Sequence, residues 1–84
     1  MNTSDVIKEV SRRMGCYQRD AKELLEHFAA VMIERTAKGE KIRLSFLATF
    51  YPGTGRLRRN GTRRRVLKFK PARKFVEQLN AEQG

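Results

Sequence analysis

Eighty-four residues suffice for one domain but not for a generous core, and one cysteine excludes an internal disulfide, so association into a homodimer is the expected way to enlarge that core. Cys16 and the one histidine, His27, cannot assemble a tetrahedral zinc site, and a lone thiol is at home in a reducing, cytoplasmic compartment. A net charge of +10 calls for a polyanionic partner, nucleic acid first and an anionic membrane surface second.

The opening residues Asn2, Thr3, Ser4 and Asp5 lack the basic-then-apolar order of a signal peptide, and no apolar run approaches the roughly 20 residues that span a bilayer. Val6, Ile7, Val10 and Met14 recur at helical spacing and predict a short amphipathic helix, capped by Asn2 or Thr3 and stopped by Gly15. From about Gln18, the pattern Ala21, Leu24, Leu25, Phe28, Met32 and Ile33 predicts a long helix running to Lys38, with Gly39 as its stop. Ile42, Leu44, Phe46, Ala48 and Phe50 alternate with Lys41, Arg43, Ser45, Leu47 and Thr49, the period of a strand, turned near Phe46 to Ala48. Pro52, Gly53 and Gly55 interrupt it and suit a bulge or an edge. Asn60-Gly61 between two strand candidates then signals a hairpin. Pro71 opens a last helix, with Phe75, Val76 and Leu79 on one face.

The fold class is thus α+β: two N-terminal helices, a β-sheet with a short basic hairpin arm, and a short C-terminal helix. One domain covers residues 1–80, with the arm at about 53–68 and a polar tail at 81–84. Leu25, Phe28, Met32, Leu44, Phe46, Phe50, Phe69 and Phe75 are assigned to the core and the dimer contact.

The charge is unevenly placed. Residues 1–43 hold nine Lys/Arg against seven Asp/Glu, whereas residues 53–74 hold ten Lys/Arg and no acid. A two-residue turn at Asn60-Gly61 pairs Arg59 with Thr62, Arg58 with Arg63, Leu57 with Arg64 and Arg56 with Arg65, so one face collects Arg56, Arg58, Arg63 and Arg65. Like charges opposite one another oppose folding, and a phosphate backbone relieves them. An edge hairpin charged against aggregation would need only one or two. Arg in preference to Lys favours phosphate, which the guanidinium fork engages at two points, without carrying sequence information.

The order of elements resembles the HU and integration host factor family of bacterial nucleoid proteins. Met1-Asn2 and Asp5 with Ile7 and Val10 resemble its opening helix, Asp20-Ala21 its second helix start, and Ala37-Lys38-Gly39-Glu40-Lys41-Ile42-Arg43-Leu44 its helix-to-strand turn. Phe69-Lys70-Pro71-Ala72-Arg73-Lys74 resembles the Phe-Lys-Pro-Gly-Lys entrance to the last helix. The resemblance spans nearly the whole chain. It implies an intertwined homodimer with paired arms, double-stranded DNA as partner, and DNA contacts at Lys70, Arg73 and Lys74. Three departures stand out: Ser45-Phe46-Leu47-Ala48-Thr49-Phe50 replaces Gly-Phe-Gly-x-Phe, Tyr17 stands where Thr or Ser often caps the second helix, and the arm is about ten residues shorter. The family's tip, Arg-Asn-Pro-x-Thr, carries a proline wedge that kinks DNA, and here reads Arg59-Asn60-Gly61-Thr62.

The chain therefore reads as a non-enzymatic, histone-like, nucleoid-associated protein that binds duplex DNA without sequence specificity and kinks it less than full-armed relatives. Its DNA-binding residues are Arg56, Arg58, Arg59, Asn60, Arg63, Arg64, Arg65, Lys68, Lys70, Arg73 and Lys74. No metal, cofactor, membrane or small-molecule substrate is expected. Gly53-Thr54-Gly55 is too weak a pattern for a phosphate loop, and no nucleophile motif appears. Two alternatives are a single-stranded nucleic-acid binder stacking bases on Tyr51, and an interaction module whose arm engages an acidic protein.

Overall fold

Helix α1 (Thr3–Met14) begins at a reciprocal cap: the Asn2 side chain accepts the Asp5 N–H at 3.0 Å, and Asp5 accepts the Asn2 N–H at 3.1 Å. It ends at Gly15, whose φ of 67° is left-handed and whose N–H returns to the Arg12 carbonyl. Ser11 is buried on this helix, and its hydroxyl donates to the Lys8 carbonyl at 2.8 Å. Helix α2 (Gln18–Ala37) follows, and Gly39, at φ 87°, closes it with an N–H to the Thr36 carbonyl. A computed structural model describes residues 1–81, and of Arg56 and Leu57 the backbone alone. It divides into two compact units, Met1–Met32 and the residues from Ile33 on, with the boundary inside the continuous helix α2.

The second unit holds a three-stranded antiparallel sheet in the order β1 (Ile42–Leu44), β2 (Ala48–Leu57), β3 (Arg63–Pro71), followed by helix α3 (Arg73–Ala81). The turn expected near Phe46 to Ala48 lies at residues 45–47, where the Leu47 N–H donates to the Leu44 carbonyl. It needs no glycine, because no non-glycine residue among those described has a positive φ. Pro52, Gly53 and Gly55 do not break the strand. β1 pairs only with Ala48 to Phe50, so Pro52 meets β3 alone, and an irregularity between Thr54 and Leu57 marks the bulge.

The hairpin register differs from the expected one. Leu57 pairs with Arg63 and Thr54 with Arg65, where Leu57–Arg64 and Arg56–Arg65 were anticipated; Arg58 meets Thr62, its N–H donating to the Thr62 carbonyl at 2.8 Å. The loop has three residues, Arg59, Asn60 and Gly61. A two-residue turn of the expected type needs positive φ at both Asn60 and Gly61, and only Gly61 has it, at 83°. The bulge takes up the extra residue and sets Leu57 and Thr54 opposite Arg63 and Arg65, so the anticipated Arg58–Arg63 and Arg56–Arg65 pairs do not form.

The last helix begins at Arg73, two residues after Pro71. Pro71 is the end of β3, opposite Ala48, and the Ala72 N–H donates to the Leu47 carbonyl at 2.8 Å, which holds the chain extended up to that point. The expected tail at 81–84 lies outside the described residues apart from Ala81, the end of α3.

Ala21 in the first unit and Ala48 in the second are the buried apolar residues among those described. Of the residues assigned to the core, Leu25, Met32, Leu44 and Phe50 are half-buried, and Phe28, Phe46, Phe69 and Phe75 are exposed, so the chain by itself does not make them a core. Phe50 and Phe69 stack across β2 and β3 at 6.0 Å, yet Phe69 stays 62 % exposed and Leu67 beside it 60 %.

Candidate nucleic-acid interface

Paired residues share a face and faces alternate along a strand, so the register divides the sheet of the second unit into two unlike surfaces. Ile42, Leu44, Phe50, Pro52, Leu67 and Phe69 fall on one, which is apolar as far as Thr54 and Arg65 in the arm. Arg43, Thr49, Tyr51, Lys68 and Lys70 fall on the other, with Arg64 further along β3.

The basic surface is concave. A groove of about 790 Å³ is lined by Lys41, Arg43, Thr49, Tyr51, Lys70, Arg73 and Lys74, together with Leu44 to Phe46, Pro71 and Ala72. Five cationic side chains therefore converge on one cleft that holds no carboxylate. Lys41 lies 5.9 Å above the Tyr51 ring, a cation–π contact that holds the aromatic at the groove wall. Arg73 is the least available, because its Nε donates to Glu77 at 2.9 Å, one turn on. The first turn of α3 carries no acidic residue, so the positive end of the helix dipole adds to the cationic field.

Lys70, Arg73 and Lys74 are thus brought together as expected. Lys41 and Arg43 were missed, although the signal was present: they alternate with Ile42 and Leu44, Lys41 just before β1 and Arg43 within it, and the turn at residues 45–47 places Thr49 opposite Arg43. Lys68 adjoins the groove by register. Its stem crosses over Gly53, where an added Cβ would fall 2.7 Å from the Lys68 Cδ.

The tip forms a separate group. Arg58, Arg59 and Arg63 are exposed around the three-residue loop. Asn60 builds that loop, its side-chain oxygen accepting the Thr62 hydroxyl at 2.7 Å and the Thr62 N–H at 3.2 Å. Arg65 turns to the end of α2 and donates to the Ala37 carbonyl at 2.9 Å and to that of Thr36 at 3.1 Å. The side chain of Arg56 lies outside those described. Among the described residues no group of three or more His, Cys, Asp or Glu could hold a metal, and no helix is long and apolar enough to cross a membrane.

Residues 1–80 match the sequence model of the family described as bacterial DNA-binding protein. Integration host factor subunit alpha of Hydrogenovibrio crunogenus is 33 % identical over 90 residues, covering 95 % of this chain and 93 % of that protein. DNA-binding protein HU of Lactococcus lactis is 37 % identical over 49 residues, 58 % of this chain and 54 % of that one. An HU mutant from Thermotoga maritima superposes with a TM-score of 0.76 at 29 % identity, over 94 % of this chain and 99 % of that one. The protein of an Anabaena HU–DNA cocrystal structure shares the fold, with a TM-score of 0.75 at 20 % identity over 94 % and 97 % of the two chains. The α+β fold with a basic arm and a family match over nearly the whole sequence lead to one assignment: the chain is a non-enzymatic member of the HU and integration host factor family of bacterial DNA-binding proteins.

Proposed function

We propose that this protein is a nucleoid-associated, cytoplasmic homodimer that binds double-stranded DNA without sequence specificity, holding phosphates in the groove beside α3 and along the arm. The observation that carries the reading is the acid-free groove, in which Lys41, Arg43, Lys70, Arg73 and Lys74 share one side of the sheet with Lys68 and Arg64. Such a surface suits a polyanion with regularly spaced charges, and it reads charge and not base edges. The opposite, apolar surface, with Leu67 and Phe69 exposed, supports burial against a second copy.

The arm limits what binding does to the duplex. Its tip is a turn around Gly61, which offers no side chain to insert between base pairs. From Tyr51 to Leu57 it extends roughly 20 Å at most, at about 3.3 Å per residue. The protein holds DNA and bends it less than a relative with a long, wedge-tipped arm. Energy transfer between dyes at the two ends of a short duplex tests both statements, beside a competition with single-stranded DNA of equal length. Duplex binding with little approach of the ends is expected. Sharp approach of the ends would overturn the bending statement, and preference for the single strand would overturn the duplex assignment.

A further inference from the structure

Three arginines follow one another at residues 63–65, and β alternation sends the middle one to a different side of the sheet from its neighbours. Arg64 lies on the side of Lys68 and Lys70. Arg65 lies on the other, and its guanidinium forks onto two carbonyls at the C-terminus of α2, Ala37 at 2.9 Å and Thr36 at 3.1 Å. The last carbonyls of a helix carry the negative end of its dipole and have no intrahelical donor, and although the Gly39 N–H already caps that of Thr36, a carbonyl oxygen can accept a second hydrogen bond, so the two suit a forked cation. Arg65 also pairs with Thr54, where the register begins to shift into the bulge. The contact therefore grips β3 at the root of the arm, the point from which every residue toward the tip takes its direction.

We propose that Arg65 is a positioning residue that latches the arm to the end of α2, and that it is not a phosphate ligand. The division of labour within the triplet follows: Arg64 faces DNA, and Arg65 fixes where the arm points. This rests on the DNA-binding reading for its consequence, though the latch exists in the free protein and is measurable there.

Arg65→Ala, Arg65→Lys and Arg64→Ala in the full-length protein separate the two roles. Lysine keeps the charge, so it would still serve a phosphate, but it lacks the planar fork that spans two carbonyls. In the free protein, both Arg65 variants should shift the carbonyl carbon resonances of Thr36 and Ala37 and lower the backbone order parameters of residues 58–63, whereas Arg64→Ala leaves both unchanged. With duplex DNA, both Arg65 variants should bind about threefold to tenfold more weakly, the fold-change of ordering about one or two more side chains on binding, with the slope of log affinity against log salt unchanged. Arg64→Ala should flatten that slope by about one per arm. Wild-type affinity and arm order in Arg65→Lys, or a slope flattened by Arg65→Ala as much as by Arg64→Ala, would overturn the latch. Failure of the wild-type protein to bind duplex DNA would remove the DNA reading while the free-protein resonances still decide the latch.

Discussion

Replacing Arg43 by alanine isolates the groove from the arm. Arg43 is exposed, sits in β1 opposite Thr49 and has no ion-pair partner among the described residues, so its loss leaves the sheet intact. Within the groove Lys41 is engaged by Tyr51 and Arg73 by Glu77, which leaves Arg43, Lys70 and Lys74 as the freest cations. In the proposed homodimer, three per protomer contribute about six phosphate contacts, and at a slope of about −0.9 per contact these groove contacts alone account for a roughly 2,000-fold loss of affinity between about 50 and 200 mM salt. Arg43→Ala removes about two of the six, which lowers the slope by about 1.8 and reduces that loss to roughly 150-fold. Fluorescence anisotropy of a labelled duplex, titrated at four or more salt concentrations, reads the slope directly. A variant slope equal to that of the wild type would show that the groove does not hold phosphate, and the reasoning that places DNA on this side of the sheet would fall.

Other perturbations address the fold. Asn2→Ala removes the reciprocal cap of α1 and should cost about 1 kcal/mol in urea unfolding, whereas Lys8→Ala, on the exposed side of the same helix, should stay within about 0.5 kcal/mol. Gly55→Ala places a Cβ 3.2 Å from the Val66 Cγ1 and 3.3 Å from the Arg64 carbonyl oxygen; the carbonyl is backbone and cannot swing aside, so a loss of about 1 kcal/mol is expected. Gly53→Ala meets the flexible Lys68 stem first and should cost less in stability, with its effect appearing in DNA affinity as that lysine is displaced. Glu9 is held below its ordinary carboxylate pKa by the Arg12 guanidinium, which donates to it at 2.7 Å, and by the nearby charge of Arg13. Its contribution to α1 is thus present above the ordinary range and lost as pH falls through the lowered value. An NMR titration should find the Glu9 pKa depressed in the wild type and raised in Arg12→Ala.

The first two helices were legible because their signals are local, whereas the last was read two residues too early, at Pro71. The Asn2 and Asp5 pair, Gly15 and Gly39 each act within one turn of chain, and α1 and α2 end where these residues require. The concentration of charge in residues 53–74 was equally plain, since it needs only counting. The hairpin register was not legible, because it depends on the backbone angles of one residue, Asn60, and on a bulge several residues away in β2. Arg43 escaped notice for a related reason: it is separated in sequence from the other groove cations and joins them only when β1 pairs with β2.

By itself the sequence determined the order of elements, the family and the polyanionic partner, since periodicity, caps and net charge are properties of neighbouring residues. The tertiary structure decided which cations act together. Alternation along β3 already separates Arg64 from Arg65, but only the packing of β3 beside the end of α2 gives Arg65 the Ala37 and Thr36 carbonyls, and only the pairing of β1 with β2 brings Arg43 to the side of Lys70. Which distant element a strand side chain meets is set by how the strands and helices pack, and no reading of its neighbours in sequence supplies that.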